Sequence, residues 1–342
     1  MTSVAIVGAG LAGISAARAA EQDGFDVTVF DRGRRIGGRC ASQPAPLGYD
    51  YGAQFVTASD PRFAQILARL EATGDIATWH GRFVDCTDRR YVSQTTLQRY
   101  VGVPSMSRLV EALADPLDIL THTRIASANE SARGWQLWDS DDSDLGEYDA
   151  LVLAMPPEQA RALVPLKSNL LTALSEFRSV PCWAAMLSCE APLPLAFDGA
   201  RFDRLDVMQA WRDSSKPGRE PGERWVLHAA AAWSRERFAA DPKTVGAELV
   251  DAFLEAAAIE SPSCLTVSMH RWGLARVEHG PRPVSLWDED IRLAICGDWC
   301  VAPNLEGAWL SGLDAAARIS VNIRRPRRRQ PLASSSETVN SA

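Results

Sequence analysis

The apolar positions of the first thirty residues change period twice, and the change predicts a strand, a helix and a second strand. Residues 4–7 form an apolar run, and residues 14–23 follow helical spacing up to a stop at Gly24. Residues 27–30 then alternate as a half-buried strand does. The chain therefore begins with a predicted βαβ unit.

Glycines lie at the turn between this first strand and the helix. Gly8 permits the tight turn, Gly10 lets the backbone approach a pyrophosphate, and Gly13 lets helix and strand pack closely. Asp31 ends the second strand, close to the roughly 20-residue offset expected of an acid that binds an adenosine ribose. The unit is therefore predicted to bind a dinucleotide.

The rest of the chain divides into two patterns. A glycine-rich loop at 36–39, a second one at 52–55 and a buried strand at 148–157 accompany the first unit, with predicted helices near 63–73 and 106–114 and a three-stranded meander at 117–139. Residues 158–290 instead predict antiparallel strands at 182–189, 205–211, 225–231 and 265–272 with a helix near 245–258. A strand at 291–298 and a helix at 307–323 close the chain.

The C-terminal strand ends in Gly297-Asp298, and this ending favours FAD over NAD as the dinucleotide. We expect Asp298 to accept hydrogen bonds from ribityl hydroxyls or to close the phosphate loop. Arg39 suits the pyrophosphate because its guanidinium matches phosphate oxygens bidentately, although a surface role is the alternative. Gly307 and Ala308 let the last helix direct its positive end at the flavin.

The predicted fold class is α/β, with a Rossmann-like FAD-binding domain plus an antiparallel-sheet-and-helix substrate domain. The 342 residues exceed the roughly 250–300 that one core usually holds. We assign residues 1–80, 97–157 and 290–323 to a discontinuous FAD-binding domain, residues 81–96 and 158–289 to the substrate domain, and residues 324–342 to a disordered tail.

Composition excludes several classes of protein. The net charge of −7 argues against nucleic acid as a partner, and no apolar stretch reaches the roughly 20 residues of a membrane span. The first strand leaves no room for a signal peptide, and seven cysteines without a CxxC pair indicate reduced thiols, so we expect a cytoplasmic protein. No metal site is predicted, because the histidines show no HxH or HExxH spacing.

Several segments carry a resemblance to a known family. They are residues 8–13, Asp31, residues 37–39 and 52–54, the His228 strand ending in Trp233-Ser234, His270-Arg271-Trp272, residues 297–300 and residues 306–312. In this order the chain resembles the bacterial renalases from residue 3 to about residue 323. These are FAD proteins related to monoamine oxidases and to the p-hydroxybenzoate hydroxylase fold.

The resemblance implies an activity and a small-molecule substrate. Renalases oxidise the 2- and 6-dihydro isomers of NAD(P)H to NAD(P)⁺ and pass the electrons to O2, giving H2O2. Hydride leaves C2 or C6 of the dihydronicotinamide ring for flavin N5, and the product is an aromatic pyridinium. No proton leaves carbon, so no catalytic side chain is predicted, and the site must supply shape, stacking and exclusion of water.

The predicted site residues fall into two sets. The cofactor-binding set is Gly8, Gly10, Ala12, Gly13, Asp31, Arg32, Gly38, Arg39, Ala53, Gln54, Ile125, Gly297, Asp298, Glu306, Gly307 and Ala308. The substrate-binding set is Gln54, Phe55, Thr57, Tyr100, His228, Trp233 and Trp272. For the tryptophans a place in the core is the alternative, and for His228 it is a structural hydrogen bond.

Two competing functions remain open at this point. A monoamine-oxidase-like amine oxidase usually carries a flavin-site lysine and an aromatic cage. None of Lys167, Lys216 and Lys243 lies on a segment expected to reach the flavin, and Trp299 has no obvious cage partner. The other is a non-catalytic flavin-binding protein. In addition, Gly273-Leu274 stand where the family usually has a bulky pair, which is expected to open space beside the ring.

Overall fold

The computed structural model describes residues 1–323 except 45–47, 89, 95–96, 204–205, 261 and 263–264, so the predicted tail lies outside the described residues. In chain order the strands are β1 (Ser3–Val7), β2 (Asp26–Phe30), β3 (Ile76–Thr78), β4 (Phe83–Thr87), β5 (Arg90–Ser93), β6 (Tyr100–Gly102), β7 (Ile119–Leu120), β8 (Ile125–Glu130), β9 (Trp135–Asp139), β10 (Asp144–Tyr148), β11 (Ala150–Leu153), β12 (Arg178–Cys189), β13 (Gly199–Phe202), β14 (Val207–Arg212), β15 (Glu223–Ala229), β16 (Leu265–His279), β17 (Leu286–Asp288) and β18 (Leu293–Ile295).

Helices alternate with these strands mainly in the first and last parts of the chain. They are α1 (Leu11–Gln22), α2 (Pro61–Ala72), α3 (Ser107–Ala114), α4 (Pro157–Arg161), α5 (Leu170–Leu174), α6 (Ala231–Glu236), α7 (Pro242–Ala257), α8 (Asp298–Val301) and α9 (Leu305–Asn322). Short 3₁₀ turns lie at Gly38–Cys40 and Asp213–Ser215. Among the described helices, none is both long enough and apolar enough to cross a membrane.

A six-stranded sheet in the order β17-β18-β11-β1-β2-β7 forms the nucleotide-binding layer. Its strands run parallel except β17, which pairs antiparallel with β18. Helices α1 and α9 pack together on one face, where a Cβ at Gly312 would lie 2.1 Å from the Ala12 carbonyl oxygen. This close approach brings the first and last helices of the chain together at one end of the sheet.

The predicted meander is displaced along the chain. Strand β7 pairs with β2 in the nucleotide-binding sheet, and the three-stranded sheet is β8-β9-β10. The prediction was wrong about its first strand, because β7 has only two residues and its pairing partner is distant in sequence. Its second and third strands correspond to β8 and β9, and β10 lies beyond the predicted range. The bend after it passes through His122, whose φ is +58°.

A seven-stranded sheet in the order β16-β12-β15-β14-β13-β4-β5 forms the second domain. Helices α6 and α7 cover one face, and their apolar side chains join a core that includes Trp183, Trp225 and Phe253. The β4–β5 hairpin comes from residues 83–93 but pairs into this sheet through β13. The other side of the sheet turns toward the nucleotide-binding layer.

The packing sets domain borders that differ from those drawn on the sequence. The side chains of Leu163, Leu170, Leu174 and Phe177 share a core with strands of the nucleotide-binding sheet. Strand β17 belongs to that sheet as well. Residues 158–177 and 286–289 therefore pack with the nucleotide-binding layer, because short helices and a three-residue strand give too weak a periodic signal to be assigned from sequence.

Candidate active site

A large cleft runs between the two sheets. Its volume is about 1770 Å³, above the roughly 300–1,000 Å³ of an ordinary small-molecule site. The cleft extends from the end of β1 past the Gly37-Gly38-Arg39 loop to the face of β12, β14 and β16. A volume of this size accommodates a long cofactor together with a second ligand.

The first glycine turn of the chain forms one end of this cleft. Gly8 has a φ of +114°, and a Cβ there would lie 2.4 Å from the Ala154 carbonyl oxygen. A Cβ at Gly13 would lie 1.8 Å from the Gly8 carbonyl oxygen. Both glycines are therefore required by the packing of the chain itself.

Gly10 is different, because nothing in the protein requires it to be glycine. A Cβ there would meet no described atom within 4 Å, and its φ of −77° suits any residue. Gly10 is also the N-cap of α1, which has no side-chain cap, so the first N–H groups of the helix face the cleft. Open space before uncapped amides fits an anionic group, and we find that the turn fits a dinucleotide pyrophosphate.

Asp31 is held in place by backbone amides beside this turn. Its Oδ2 accepts a hydrogen bond from the Ala9 amide at 2.7 Å, and its Oδ1 accepts one from the Gly33 amide at 2.6 Å. Each oxygen keeps a further lone pair, so the carboxylate can also accept from ribose hydroxyls. Its position on the cleft fits an adenosine ribose.

Arg39 joins three segments around the middle of the cleft. Its guanidinium donates to Asp298 Oδ1 at 2.6 Å and to the Ala275 carbonyl oxygen at 3.0 Å. About a third of the side chain stays exposed, with donors left over for phosphate oxygens. The arginine thereby ties the glycine-rich loop to β16 and to the start of α8.

Most of the predicted cofactor residues line the cleft, and three do not. Lining positions are Gly8, Gly10, Ala12, Asp31, Arg32, Gly38, Arg39, Ala53, Gln54, Ile125, Gly297, Asp298 and Ala308. Gly13 packs against Gly8, and a Cβ at Gly307 would lie 2.2 Å from the Ala302 carbonyl oxygen. Glu306 faces the start of α2, where its carboxylate accepts from the amides of Ser59 and Asp60 at 2.7 and 2.6 Å.

We call the end of the cleft at the face of β12, β14 and β16 the substrate end, because the predicted substrate residues His228 and Trp272 lie there. Two β-bulges shape it. Between β14 and β15 the register passes from Val207↔Ala229 to Gln209↔His228, so Met208 is an extra residue. Between β12 and β16 it passes from Val180↔Arg276 to Cys182↔Trp272, which leaves an extended bulge at residues 273–275. Bulges redirect side chains and are common beside active sites. Both bulges border the cleft.

Aromatic side chains form the wall beside these bulges. Tyr51 stacks on Trp272 with centroids 5.4 Å apart and an interplanar angle of 19°, and His270 packs edge-on against Trp272 at 4.4 Å. The indole of Trp272 and Nε2 of His228 both donate to the Tyr51 carbonyl oxygen at 3.1 Å. Burial lowers the pKa of His228 to about 4, so its imidazole is neutral near pH 7.

Three predicted substrate residues lie elsewhere, while Gln54, Phe55, His228 and Trp272 line the cleft. Trp233 is in α6 and buried in the core of the second domain, with the Arg237 guanidinium over its ring. Tyr100 pairs through its backbone with Val56, and neither Tyr100 nor Thr57 is among the residues that line the cleft. The cleft therefore gives no support to a substrate role for these three residues, because a position near a cleft residue in sequence does not fix which side of an element faces the cleft.

Sequence reasoning also missed residues that line the cleft, among them Tyr51, Cys182, Met208, His270 and Arg276. Tyr51 directly precedes Gly52, so its adjacency to the glycine-rich segment could have identified it. Gly273 lies at the rim, where a Cβ would contact the Phe238 ring at 3.6 Å. Burial raises the pKa of the Cys182 thiol to about 12, so this cysteine is a thiol rather than a nucleophilic thiolate.

A buried ion cluster of Asp50, Asp213, Lys216 and Arg219 lies behind Gln54. Lys216 is fully buried and donates to Asp50 Oδ2 at 2.9 Å, to Asp213 Oδ1 at 2.8 Å and to Gln54 Oε1 at 3.0 Å. Burial alone raises the pKa of Asp50, but Lys216 and Arg219 outweigh it and lower that pKa to about 2. Lys216 does not line the cleft, and the Gln54 side chain separates it from the cleft.

The same cluster explains the orientation of Gln54. Its Nε2 donates to the carbonyl oxygens of Asp50 and Gly52, while its Oε1 accepts from Lys216. Both amide hydrogens are therefore engaged, and one acceptor position is left for a ligand. Within the described residues no group of three or more His, Cys, Asp or Glu side chains could hold a metal ion.

Comparison with known proteins identifies the family. Residues 6–70 match the NAD(P)-binding Rossmann-like domain, and residues 82–320 match the flavin containing amine oxidoreductases. The second match covers well over half of the chain. It agrees with a cleft in which the glycine turn, Asp31 and Arg39 fit a dinucleotide, and the chain is an FAD-dependent oxidoreductase.

Solved structures share the fold at low sequence identity. A protein assigned as a protoporphyrinogen oxidase from Exiguobacterium sp. 255-15 has a TM-score of 0.72 and 12% identity, over 94% of this chain and 99% of its own. Cyclohexylamine oxidase from Brevibacterium oxydans IH-35A has a TM-score of 0.70 and 13% identity over 95% and 100%. Putrescine oxidase bound to putrescine has a TM-score of 0.67 and 14% identity over 94% and 99%. The chain belongs to the flavin containing amine oxidoreductase family.

Proposed function

We propose that this chain oxidises the 2- or 6-dihydro isomers of NAD(P)H to NAD(P)⁺ with O2 as the electron acceptor. One dihydropyridine, one O2 and one proton give one pyridinium and one H2O2. The FAD supplies the hydride acceptor and transfers the electrons to O2. The protein binds both dinucleotides, orients the dihydropyridine ring and excludes water.

The charge of the cleft carries this proposal. Its lining includes seven arginines and three carboxylates, namely Arg32, Arg34, Arg35, Arg39, Arg124, Arg271 and Arg276 against Asp31, Glu158 and Asp298. Arg276 is paired with Glu278, which lies outside the lining, so the net surplus is three positive charges. This surplus exceeds the two negative charges of one FAD pyrophosphate, and the pyrophosphate of a second dinucleotide would compensate the remainder.

The side chains at the substrate end suit a planar ring that loses hydride alone. Burial lowers the pKa values of His228 and His270, so neither imidazole places a cation against a pyridinium product. Tyr51, His270 and Trp272 offer aromatic surface for stacking. No side chain needs to remove a proton from carbon, and the thiol and imidazoles of this region are poorly placed in pKa to do so near pH 7.

Amine oxidation is the second candidate, and the family match favours it. The geometry of the wall argues against it. Tyr51 and Trp272 stack directly on each other, with centroids 5.4 Å apart, and so leave no gap between their rings for an amine. The surplus of arginines also disfavours the approach of an ammonium ion.

Anaerobic mixing of the purified holoenzyme with 6-dihydro-NAD, 2-dihydro-NAD, putrescine or cyclohexylamine decides between these candidates. The proposal expects bleaching of the visible flavin absorbance with a dihydro isomer, and recovery with H2O2 formation when O2 is admitted. Ordinary 4-dihydro-NADH is the matched control and should react much more slowly. Bleaching by the amines alone would establish amine oxidation, and no bleaching by any of these compounds would favour a non-catalytic flavin protein.

The state of the cysteines supports a proposal about the cellular location. None of the six described cysteines is in a disulfide, as expected of a protein working among reduced nucleotides. We therefore propose a cytoplasmic site of action, where damaged NAD(P)H isomers would arise. Fractionation of cells that produce the protein would test this.

A further inference from the structure

Arg276 lines the substrate end of the cleft with an unusual set of partners. One terminal nitrogen of its guanidinium, Nη2, donates to Glu278 Oε1 at 2.9 Å. The other, Nη1, is 3.0 Å from Met208 Sδ. A thioether is a weak acceptor, so a strong donor that borders the cleft is matched with a poor partner.

This pairing depends on the two bulges described above. Arg276 is the first paired residue after the bulge at residues 273–275, and Met208 is itself the extra residue of the bulge on β14. Without the bulge on β14, which adds one residue, the regular alternation of strand side chains would change the face on which the following residues lie. Without the bulge on β16, which adds two residues relative to β12, Arg276 would keep its face but pair with a different position of β12. The fold thus departs from regular pairing at two separate places, both at this contact.

The charge of Arg276 is already balanced. Glu278 forms an ion pair with it, so an uncharged acceptor can take the free donor without leaving an unpaired negative charge behind. His228 and Cys182 also line this part of the cleft, and both are neutral near pH 7 because burial lowers the pKa of His228 and raises that of Cys182. The surroundings therefore suit a neutral carbonyl oxygen better than an anion.

We propose that Arg276 is a specificity-determining residue that binds a carbonyl oxygen carried by the substrate ring. On binding, Nη1 of Arg276 exchanges the sulfur of Met208 for that oxygen, while Nη2 continues to donate to Glu278. The ligand class is a planar aromatic or dihydropyridine ring with a carboxamide substituent. The inference rests on the proposed function, because a dihydronicotinamide is such a ring.

Binding of unreactive rings to the oxidised holoenzyme tests the proposal without turnover. Nicotinamide and benzamide carry the carbonyl, nicotinate and benzoate carry a carboxylate, and pyridine and toluene lack both. Perturbation of the flavin absorbance reports the dissociation constant of each. We expect both amides to bind more tightly than both carboxylates, and the rings without a substituent oxygen to bind most weakly.

The variant Arg276→Met removes the donors and keeps an unbranched side chain. We expect the dissociation constants of the amides to rise about tenfold to a hundredfold, the usual effect of losing a hydrogen bond from a charged donor. Arg201→Met is the matched control, because Arg201 also lies on a strand of this sheet in an ion pair, with Asp85, but not on the cleft. It should leave every constant unchanged.

A second variant controls for misfolding of the first. In Arg276→Lys the single ammonium cannot serve both Glu278 and a ligand oxygen with the same geometry, so the amide constants should rise at least about threefold. Unchanged amide binding in either folded variant would overturn the proposal. Tighter binding of the carboxylates than of the amides would also overturn it.

These measurements separate the inference from the proposed function. A holoenzyme that is reduced by dihydro-NAD isomers yet binds the amides independently of Arg276 would refute only the inference. A holoenzyme that none of the dihydro isomers reduces, but that binds the amides through Arg276, would refute only the proposed substrate.

Discussion

The two glycines at the start of α1 offer a test that separates cofactor binding from folding. Alanine at Gly13 would place its Cβ 1.8 Å from the Gly8 carbonyl oxygen, while alanine at Gly10 would meet no described atom within 4 Å. The two glycines are three residues apart in one turn, and each substitution adds a single methyl group. Any difference between the variants therefore arises from what surrounds that methyl.

The expected magnitudes follow from these distances. Alanine improves helix propensity at Gly13 by about 1 kcal/mol, but a contact more than 1 Å too short against backbone forces the helix away from β1, and overpacking of this kind costs about 1–3 kcal/mol or more. We expect a net loss of about 1–2 kcal/mol in the free energy of unfolding. At Gly10, an N-cap with φ −77°, the stability of the apoprotein should change by less than about 1 kcal/mol.

Cofactor affinity should show the reverse order. A methyl at Gly10 occupies the open space before the uncapped amides of α1, so the pyrophosphate must move away and the dissociation constant of FAD should rise at least about tenfold. Denaturant unfolding of the apoproteins and fluorescence titration with FAD measure the two effects. A Gly10→Ala protein that binds FAD with unchanged affinity would refute the assignment of this turn to the pyrophosphate.

Three further predictions concern charged and titratable groups. Arg39→Ala should raise the dissociation constant of FAD about tenfold to a hundredfold. The control Arg62→Ala, at an exposed ion pair with Asp60, should not change it. Equal retention of FAD by the unsubstituted protein and both variants would contradict the role of Arg39. Lys216→Met leaves two buried carboxylates without their shared cation and should lower the free energy of unfolding by about 3–5 kcal/mol. The control Lys167→Met, at a surface ion pair, should lower it by less than about 1 kcal/mol. Similar melting temperatures for the two variants would be evidence against a tight buried cluster. The pKa of His228 is lowered to about 4 from 6.5, so the unfolded chain binds a proton at this site first as the pH falls. About 3 kcal/mol of stability that is present above pH 6.5 should therefore be lost between pH 6.5 and 4. His228→Gln should make the dependence of the free energy of unfolding on pH shallower in denaturant unfolding, and an unchanged dependence would contradict the neutral imidazole.

The nucleotide-binding half could be predicted because its signals are local. The turn, helix and acid of the first βαβ unit occupy thirty consecutive residues, and each glycine has a separate steric or ligand reason for being there. The C-terminal Gly297-Asp298 pair was likewise placed on the cleft, where Asp298 meets Arg39. Glu306 shows the limit of such reasoning, because its neighbours in sequence border the cofactor region while its carboxylate faces Ser59 and Asp60.

The ion cluster could not be foreseen from sequence for a different reason. Lys216 lies more than 160 residues from its partners Asp50 and Gln54, and nothing near it in the sequence signals burial. A lysine in a polar loop ordinarily predicts a solvent-exposed side chain. Its burial becomes tolerable only where residues 50–54 meet the 3₁₀ turn at Asp213–Ser215, because the two segments each supply one carboxylate.

The substrate end of the cleft depends on strand register, whereas the cofactor end depends on local turns of the chain. The cofactor end is built mainly from consecutive residues, so a change there alters FAD binding itself. At the substrate end, Met208 and Arg276 meet only because bulges on β14 and β16 shift two registers that are far apart in sequence. A bulge added or lost on one of these strands would change which side chains border the ring and leave the nucleotide-binding turn untouched. Specificity in this fold can therefore change through the pairing of the second sheet, without any change in the residues that hold the cofactor.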